Sequence, residues 1–156
     1  MSVDPKIFKA YDIRGVYPTE LDETAAYKIG RAFVTFVGAD QVIVGRDMRL
    51  SGPQLFKAVT DGITDQGADV VDIGMVSTDQ YYFACSRLGG AGMMVTASHN
   101  PKQYNGFKMV REMPYLLSGD TGIQDLRRLV EQDRWTDPGR KGTITHRDLS
   151  EEFVEA

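Results

Sequence analysis

Short runs of apolar residues alternate along this chain with longer segments in which apolar residues recur every three or four positions. The short runs have the length of buried strands, and the longer spacing is typical of helices with one buried face. The predicted strands cover residues 42–44, 69–73, 91–96 and 105–110, and the predicted helices cover residues 22–37, 51–66, 77–88, 120–132 and 148 onward. Strands that alternate with helices are joined by crossover connections, so the pattern predicts an α/β fold.

The expected architecture is a three-layer α/β/α domain, with a mainly parallel, mixed sheet of about four strands flanked by helices. Two helix starts carry a capping-box pattern, Ser51 with Gln54 and Ser77 with Gln80. Open sheets of this kind bind ligands beyond the carboxyl ends of their strands, where the loops gather. Functional residues are therefore expected in the loops that follow predicted strands.

Composition narrows the class of protein. The 156 residues favour one domain, spanning residues 1–156, and the single cysteine, Cys85, excludes an internal disulfide. With 18 basic and 22 acidic residues the net charge is −4, which gives no general attraction to nucleic acid or anionic membranes. No apolar run approaches the roughly 20 residues that cross a bilayer, and no secretory signal pattern opens the chain. We therefore expect a cytoplasmic protein without nucleic-acid or membrane partners.

The most informative segment is Thr-Ala-Ser-His-Asn-Pro at residues 96–101, directly after a predicted strand. Ser98 supplies a hydroxyl that can carry a phosphoryl group, His99 an imidazole that titrates near neutral pH, and Asn100 an amide donor. Lys108, which follows the turn at residues 104–106, can place a positive charge close to the same loop. The alternative is an ordinary surface loop, because Asn-Pro often begins a turn. A serine hydrolase is the weaker hypothesis, since the sequence has neither a local aspartate nor the Gly-x-Ser-x-Gly motif of a nucleophile elbow.

Two other segments carry polar groups that suit an anion site. In residues 9–15, Arg14 can bind a phosphate with two hydrogen bonds and Tyr11 offers a hydroxyl, although a solvated surface strand explains the same pattern. In residues 45–52, between a strand and a helix, an Arg46–Asp47 pair is expected to organise the loop. This segment lacks the lysine and spacing of a P-loop, so nucleotide binding is unsupported.

Taken together, these three segments resemble the α-D-phosphohexomutase superfamily, and most closely its phosphomannomutase/phosphoglucomutase branch. Residues 8–15 (Phe-Lys-Ala-Tyr-Asp-Ile-Arg-Gly) are similar to that branch's opening motif, and residues 45–52 to its second loop. Residues 96–101 followed by Tyr-Asn-Gly-Phe-Lys at 104–108 resemble its phosphoserine signature. The resemblance covers essentially the whole chain and implies the N-terminal domain, domain I.

The resemblance implies a role for each candidate residue. Ser98 would be phosphorylated and would exchange its phosphoryl group with a hexose monophosphate of glucose or mannose, through a bound 1,6-bisphosphate. His99 and Lys108 would act in catalysis near the phosphoryl group, and Tyr11, Arg14 and Asn100 would help to bind the substrate. One Mg²⁺ would contact the phosphate on Ser98, and glucose or mannose 1,6-bisphosphate would serve as activator.

The resemblance also implies partners outside these residues. Family members are about three times longer, and their metal loop, sugar-recognition loop and C-terminal phosphate loop belong to three further domains, which have no counterpart in residues 1–156. We therefore expect a domain cut at a boundary near Ala156 and inactive by itself. The alternative is a stand-alone, non-catalytic module that binds sugar phosphates or regulates. The opening motif favours the glucose/mannose branch over the glucosamine branch, and glucose versus mannose stays open.

Overall fold

A mixed β-sheet forms the centre of the computed structural model, which describes residues 3–98 and 100–155. Within these residues the strands are β1 (Ile13–Val16), β2 (Gln41–Arg46), β3 (Asp69–Met75), β4 (Ala91–Val95), β5 (Tyr104–Glu112), β6 (Tyr115–Leu116) and β7 (Ile144–His146). Their order is β1-β5-β4-β2-β3-β7, with β6 beside the far end of β5. Strands β2, β3, β4 and β7 run parallel, whereas β5 is antiparallel to β1, β4 and β6.

Helices cover both faces of this sheet. They are α1 (Glu23–Val37), α2 (Gly52–Asp65), α3 (Thr78–Leu88), α4 (Gln124–Gln132) and α5 (Ser150–Glu155), with a 3-10 turn at Pro5–Ile7 and a π-helical turn at Gly119–Ile123. Side chains of β2 show the two layers: Val42 and Val44 pack with α1, α2 and α4, whereas Ile43 belongs to the cluster formed by α3 and by Leu149, the residue before α5. The predicted three-layer α/β/α fold with a mixed sheet is confirmed.

The sheet is wider than the predicted four strands. The four predicted strands correspond to β2, β3, β4 and the longer β5, which form the centre of the sheet. The added strands β6 and β7 are exposed along their whole length, and β1 alternates buried with half-buried residues. Because β1, β6 and β7 are only four, two and three residues long, periodicity did not reveal them.

The two predicted capping boxes have different outcomes. At α3, Ser77 and Gln80 bond each other's backbone N–H groups, so this box is confirmed. At α2, Ser51 makes no side-chain cap bond, and the predicted box is wrong. The Ser51 hydroxyl instead accepts a hydrogen bond from the amide of buried Asn105 on β5. Ser51 therefore bonds a residue distant in sequence, Asn105, and not the backbone at the start of α2.

None of the helices in the described part of the chain has both the length and the apolar character to cross a bilayer.

Candidate functional site

Ser98 lies on an exposed turn, separated from the end of β4 by the buried residues Thr96 and Ala97. Its φ of 55° is in the left-handed region, which few residues other than glycine adopt. The backbone N–H of Ser98 donates to the hydroxyl of Thr96 at 3.0 Å, and that hydroxyl donates to Asp47 at 2.7 Å. The serine is therefore held at the carboxyl edge of the sheet, with its side chain outside the apolar interior.

Strand register places Lys108 and Arg14 on one face of the sheet. Arg14 on β1 lies opposite Gly106 on β5, and Lys108 is two residues further along β5. Residues directly opposite in an antiparallel pair share a face, as do residues two apart in one strand. Lys108 also lies opposite Met94, which packs on the α3 side, so both cations belong to that side.

Ser98 and Lys108 line the same cleft, which has a volume of about 870 Å³. The N-terminal end of α3 contributes polar groups to it through Ser77, Thr78 and Gln80. Met48, Met75 and Met94 contribute apolar surface. The cleft thus combines a hydroxyl and a cation with a wall that is partly polar and partly apolar.

The structure also brings Arg14 and Asn100 together. The Arg14 guanidinium donates to the side-chain oxygen of Asn100 at 3.3 Å and to the carboxylate of Asp12 at 2.9 Å. Asn100 in turn donates to the carbonyl of Ala97 at 2.7 Å. Tyr11 is 81% exposed and stands apart from these bonds. Of the predicted site residues, His99 lies outside the described residues.

The loop of residues 45–52 is organised differently from the sequence-based expectation. Asp47 pairs with Arg49 at 3.4 Å, whereas Arg46 lies 3.7 Å from Asp72 and over the ring of Phe56. The expected Arg46–Asp47 pair is therefore wrong. Sequence reasoning missed Arg49, which donates to four backbone carbonyls of the segment of residues 96–104, here called the serine loop. Its only signal in the sequence was its place in the second family-like segment.

A magnesium site needs several oxygen ligands, which in proteins come mainly from carboxylates. In residues 3–98 and 100–155 no group of three or more His, Cys, Asp or Glu side chains could hold a metal ion. Asp47 is the carboxylate that lines the cleft. Its oxygens accept hydrogen bonds from the backbone N–H of Arg49 and from the Thr96 hydroxyl. The described residues do not by themselves fit a complete magnesium site.

The fold and the site together define a class: a three-layer α/β/α domain whose loop-borne serine lies in a cleft at the carboxyl edge of the sheet. The family model described as phosphoglucomutase/phosphomannomutase, alpha/beta/alpha domain I, matches residues 5–137. The chain belongs to the phosphoglucomutase/phosphomannomutase family and corresponds to its domain I.

Individual relatives agree with this family. A phosphomannomutase of Klebsiella pneumoniae is 46% identical over 151 residues, covering 95% of this chain and 96% of that protein. A phosphoglucomutase of Neisseria meningitidis serogroup B is 43% identical over 162 residues, covering 99% of this chain and 34% of that protein. The crystal structure of a phosphoglucomutase/phosphomannomutase family protein from Burkholderia thailandensis superposes with a TM-score of 0.90 at 42% identity.

Coverage differs sharply between these relatives. The chain spans about a third of the Neisseria and Burkholderia proteins, at 34% and 35% of their lengths, and nearly all of the Klebsiella protein. The match to the Burkholderia structure includes 98% of this chain.

Proposed function

We propose that this chain is the phosphoserine-bearing N-terminal domain of a phosphohexomutase that interconverts hexose 1-phosphates and hexose 6-phosphates of glucose or mannose. The observation that carries the proposal is the placement of Ser98, an exposed serine on a left-handed turn in the cleft that Lys108 also lines. Relatives named phosphomannomutase and phosphoglucomutase support the same reaction class. Ser98 is the phosphoryl carrier in this proposal.

The proposed reaction consists of two phosphoryl transfers. In the first, a free hydroxyl of the hexose monophosphate attacks the phosphorus of phosphorylated Ser98. The bond between phosphorus and the serine oxygen breaks, the sugar hydroxyl loses its proton, and the serine oxygen gains one. The product is a hexose 1,6-bisphosphate. In the second transfer the serine hydroxyl attacks the other phosphate and the bond between that phosphorus and its sugar oxygen breaks. The serine loses its proton and the sugar oxygen gains one, which restores phosphoserine and releases the isomeric monophosphate.

The cations near Ser98 have a physical role in both transfers. Phosphoserine carries about −1.5 to −2 charges at neutral pH, and positioned cations stabilise the charge on the transferred group. Lys108 lines the cleft with Ser98 and is assigned to that role. Arg14, held by Asp12 and Asn100, is assigned with Asn100 and the exposed Tyr11 to substrate binding. His99 remains a prediction for acid–base chemistry.

Magnesium and the remaining domains complete the proposal. A phosphate oxygen on Ser98 would be this domain's ligand to Mg²⁺, which when bound offsets negative charge on the phosphoryl group. Its other ligands would come from a further domain, since the described residues offer no complete set. We therefore propose that the 156-residue domain needs those domains for turnover, and that glucose or mannose 1,6-bisphosphate phosphorylates Ser98 to activate the enzyme.

The proposal is tested with a hybrid enzyme in which this chain replaces the matching third of the Neisseria phosphoglucomutase. We expect conversion of glucose 1-phosphate to glucose 6-phosphate after activation with glucose 1,6-bisphosphate, and intact-mass analysis should show one added phosphate. Ser98→Ala should abolish both signals while circular dichroism stays unchanged. Ser86→Ala, an exposed serine on α3, is the matched control and should keep both.

Two results would overturn the assignment. Phosphate on another residue with none on Ser98 would remove the proposed carrier. A correctly assembled hybrid that binds sugar phosphate without turning it over would favour the non-catalytic module. Comparing glucose 1-phosphate with mannose 1-phosphate in the active hybrid would measure the sugar preference of that hybrid.

A further inference from the structure

We infer that Arg49 is the positioning residue of the serine loop. From outside the lining of the cleft it holds Ser98 in place for phosphoryl transfer. The part of this inference that concerns transfer rests on the proposed function, whereas the part that concerns loop geometry does not. Arg49 is not among the residues that line the cleft. It acts on the backbone that carries the hydroxyl and makes no contact with the reacting atoms.

Arg49 bonds four carbonyls between Ser98 and Tyr104. One terminal nitrogen, Nη2, donates to the carbonyls of Ser98 and Asn100, each at 2.8 Å. The other, Nη1, donates to the carbonyls of Pro101 at 2.9 Å and Tyr104 at 3.0 Å. A single guanidinium therefore joins α2's leading loop to both ends of the segment between β4 and β5.

Four carbonyl oxygens that converge on one point repel each other unless a cation lies between them. The planar guanidinium has the charge and the fixed fork of donors for this arrangement, and hydrogen bonds from a charged donor are stronger than neutral ones. A lysine ammonium has three donors on a flexible stem, so it cannot reproduce four bonds in one plane. The geometry is specific for arginine.

The guanidinium is itself held in place. Its side chain is only 11% exposed, and its Nε forms an ion pair with the Asp47 carboxylate at 3.4 Å while making no hydrogen bond to the described residues. That carboxylate also accepts from Thr96, whose hydroxyl receives the backbone N–H of Ser98. Asp47 thus connects the two supports of Ser98, one on its N–H and one on its carbonyl. Together these bonds hold a serine at a positive φ, a conformation that the loop would leave without them.

The first test measures amide hydrogen exchange in the 156-residue chain. In Arg49→Lys, the amides of Ser98, Asn100 and Tyr104 should exchange at least about tenfold faster, while amides of the central strand β2 keep their rates. Arg46→Lys is the matched control, because Arg46 ends β2 directly before the loop that carries Arg49 but contacts Asp72 and Phe56. It should leave the serine loop unchanged.

Chemical rescue separates positioning from general support of the fold. In Arg49→Ala, millimolar ethylguanidinium should restore slow exchange at Ser98, whereas ethylammonium at the same concentration should not. In the hybrid enzyme, Arg49→Lys should lower kcat at least about tenfold with little change in KM, because the cleft surface is intact and the phosphoryl carrier is misplaced. Ethylguanidinium should recover part of the lost kcat in Arg49→Ala.

Each outcome decides the inference. Unchanged exchange at the loop in a folded Arg49→Lys protein would overturn it, and so would faster exchange accompanied by normal kcat. If both variants fail to fold, nitrogen-15 spectra of the unmodified chain replace them: separate, slowly exchanging Nη1 and Nη2 signals are expected, and one averaged signal would overturn the inference. A hybrid that is inactive without any substitution would count against the proposed function alone, since the exchange data stand by themselves.

Discussion

At the scale of single residues, Ser98 shows how a reactive side chain is held in a conformation that its type rarely adopts. A left-handed backbone costs an ordinary residue roughly 1–2 kcal/mol. The hydrogen bond from the Ser98 N–H to Thr96 and the bond from Arg49 to its carbonyl offset that cost. Because the serine is exposed rather than buried, its hydroxyl is open to the cleft.

Lys108 allows a sharp test at this scale. In the hybrid enzyme, Lys108→Ala should lower turnover about 10²- to 10³-fold, because it removes a positioned positive charge near the transferred group. The unfolding temperature should change little, since Lys108 is only half-buried and its backbone bonds on β5 remain. Turnover kinetics and a thermal melt measure the two effects.

Lys102→Ala is the control for that experiment. Lys102 is exposed on the loop that precedes β5 and lies outside the cleft of Ser98, so its replacement should change neither activity nor stability. Full activity of Lys108→Ala would show that this lysine is not part of the transfer site.

At the scale of elements, α1 and α2 approach each other at two glycines. A side chain on Gly30 would meet the carbonyl of Val59, and one on Gly62 would meet the carbonyl of Tyr27. The backbones of the two helices therefore touch where neither has a side chain. The bond from the Tyr27 hydroxyl to Asp65 at 2.6 Å closes the same interface. This packing fixes α2, whose leading loop carries Arg49.

Gly62→Ala should destabilise the domain by about 1–3 kcal/mol, because overpacking forces the helices apart. The gain in helix propensity from alanine, roughly 0.5–1 kcal/mol, is smaller. Gly52→Ala in the same helix is the matched control: its new methyl group would meet Asp47 at an ordinary 3.5 Å. Urea unfolding followed by circular dichroism measures both, and equal stability of the two variants would contradict the close approach.

At the scale of the whole molecule, the apolar layer between α3 and the sheet buries two groups that must stay uncharged. Cys85 is fully buried between α3 and the sheet, and burial raises the pKa of its thiol from 9.0 to about 12. Burial also raises the pKa of Tyr81 well above its ordinary value, and its hydroxyl donates to the carbonyl of Lys108. The layer beneath the cleft is thus neutral in the native state at ordinary pH.

This burial makes the free energy of unfolding depend on alkaline pH. Above pH 9 the unfolded chain loses the Cys85 proton while the native state keeps it up to about pH 12, so the unfolded state binds fewer protons and native stability falls. We expect the wild-type curve to fall more steeply than that of Cys85→Ala, by up to about 1.4 kcal/mol per pH unit in this window. Denaturant unfolding from pH 7 to 11 measures both curves, and parallel curves would contradict the buried thiol.

The sequence alone determined the central part of this molecule. Strands β2 to β5, helices α1 to α3 and the capping box at Ser77 followed from periodicity and short-range patterns, because each depends on neighbours within a few positions. The same reasoning put Ser98 on a loop at the carboxyl end of a strand. The family followed from three motifs, and it is confirmed by the match to domain I.

Only the tertiary structure decided how the serine loop is held. Arg49 and Ser98 are 49 positions apart, and so are Asp47 and Thr96, while Ser51 and Asn105 are 54 apart. No local pattern encodes such pairs, and the local interpretations of Ser51 and of Arg46 with Asp47 were wrong for that reason. A polar side chain bonds whichever donor or acceptor the fold brings within about 3 Å. Local sequence sets where strands and helices form, and their packing sets which polar groups meet.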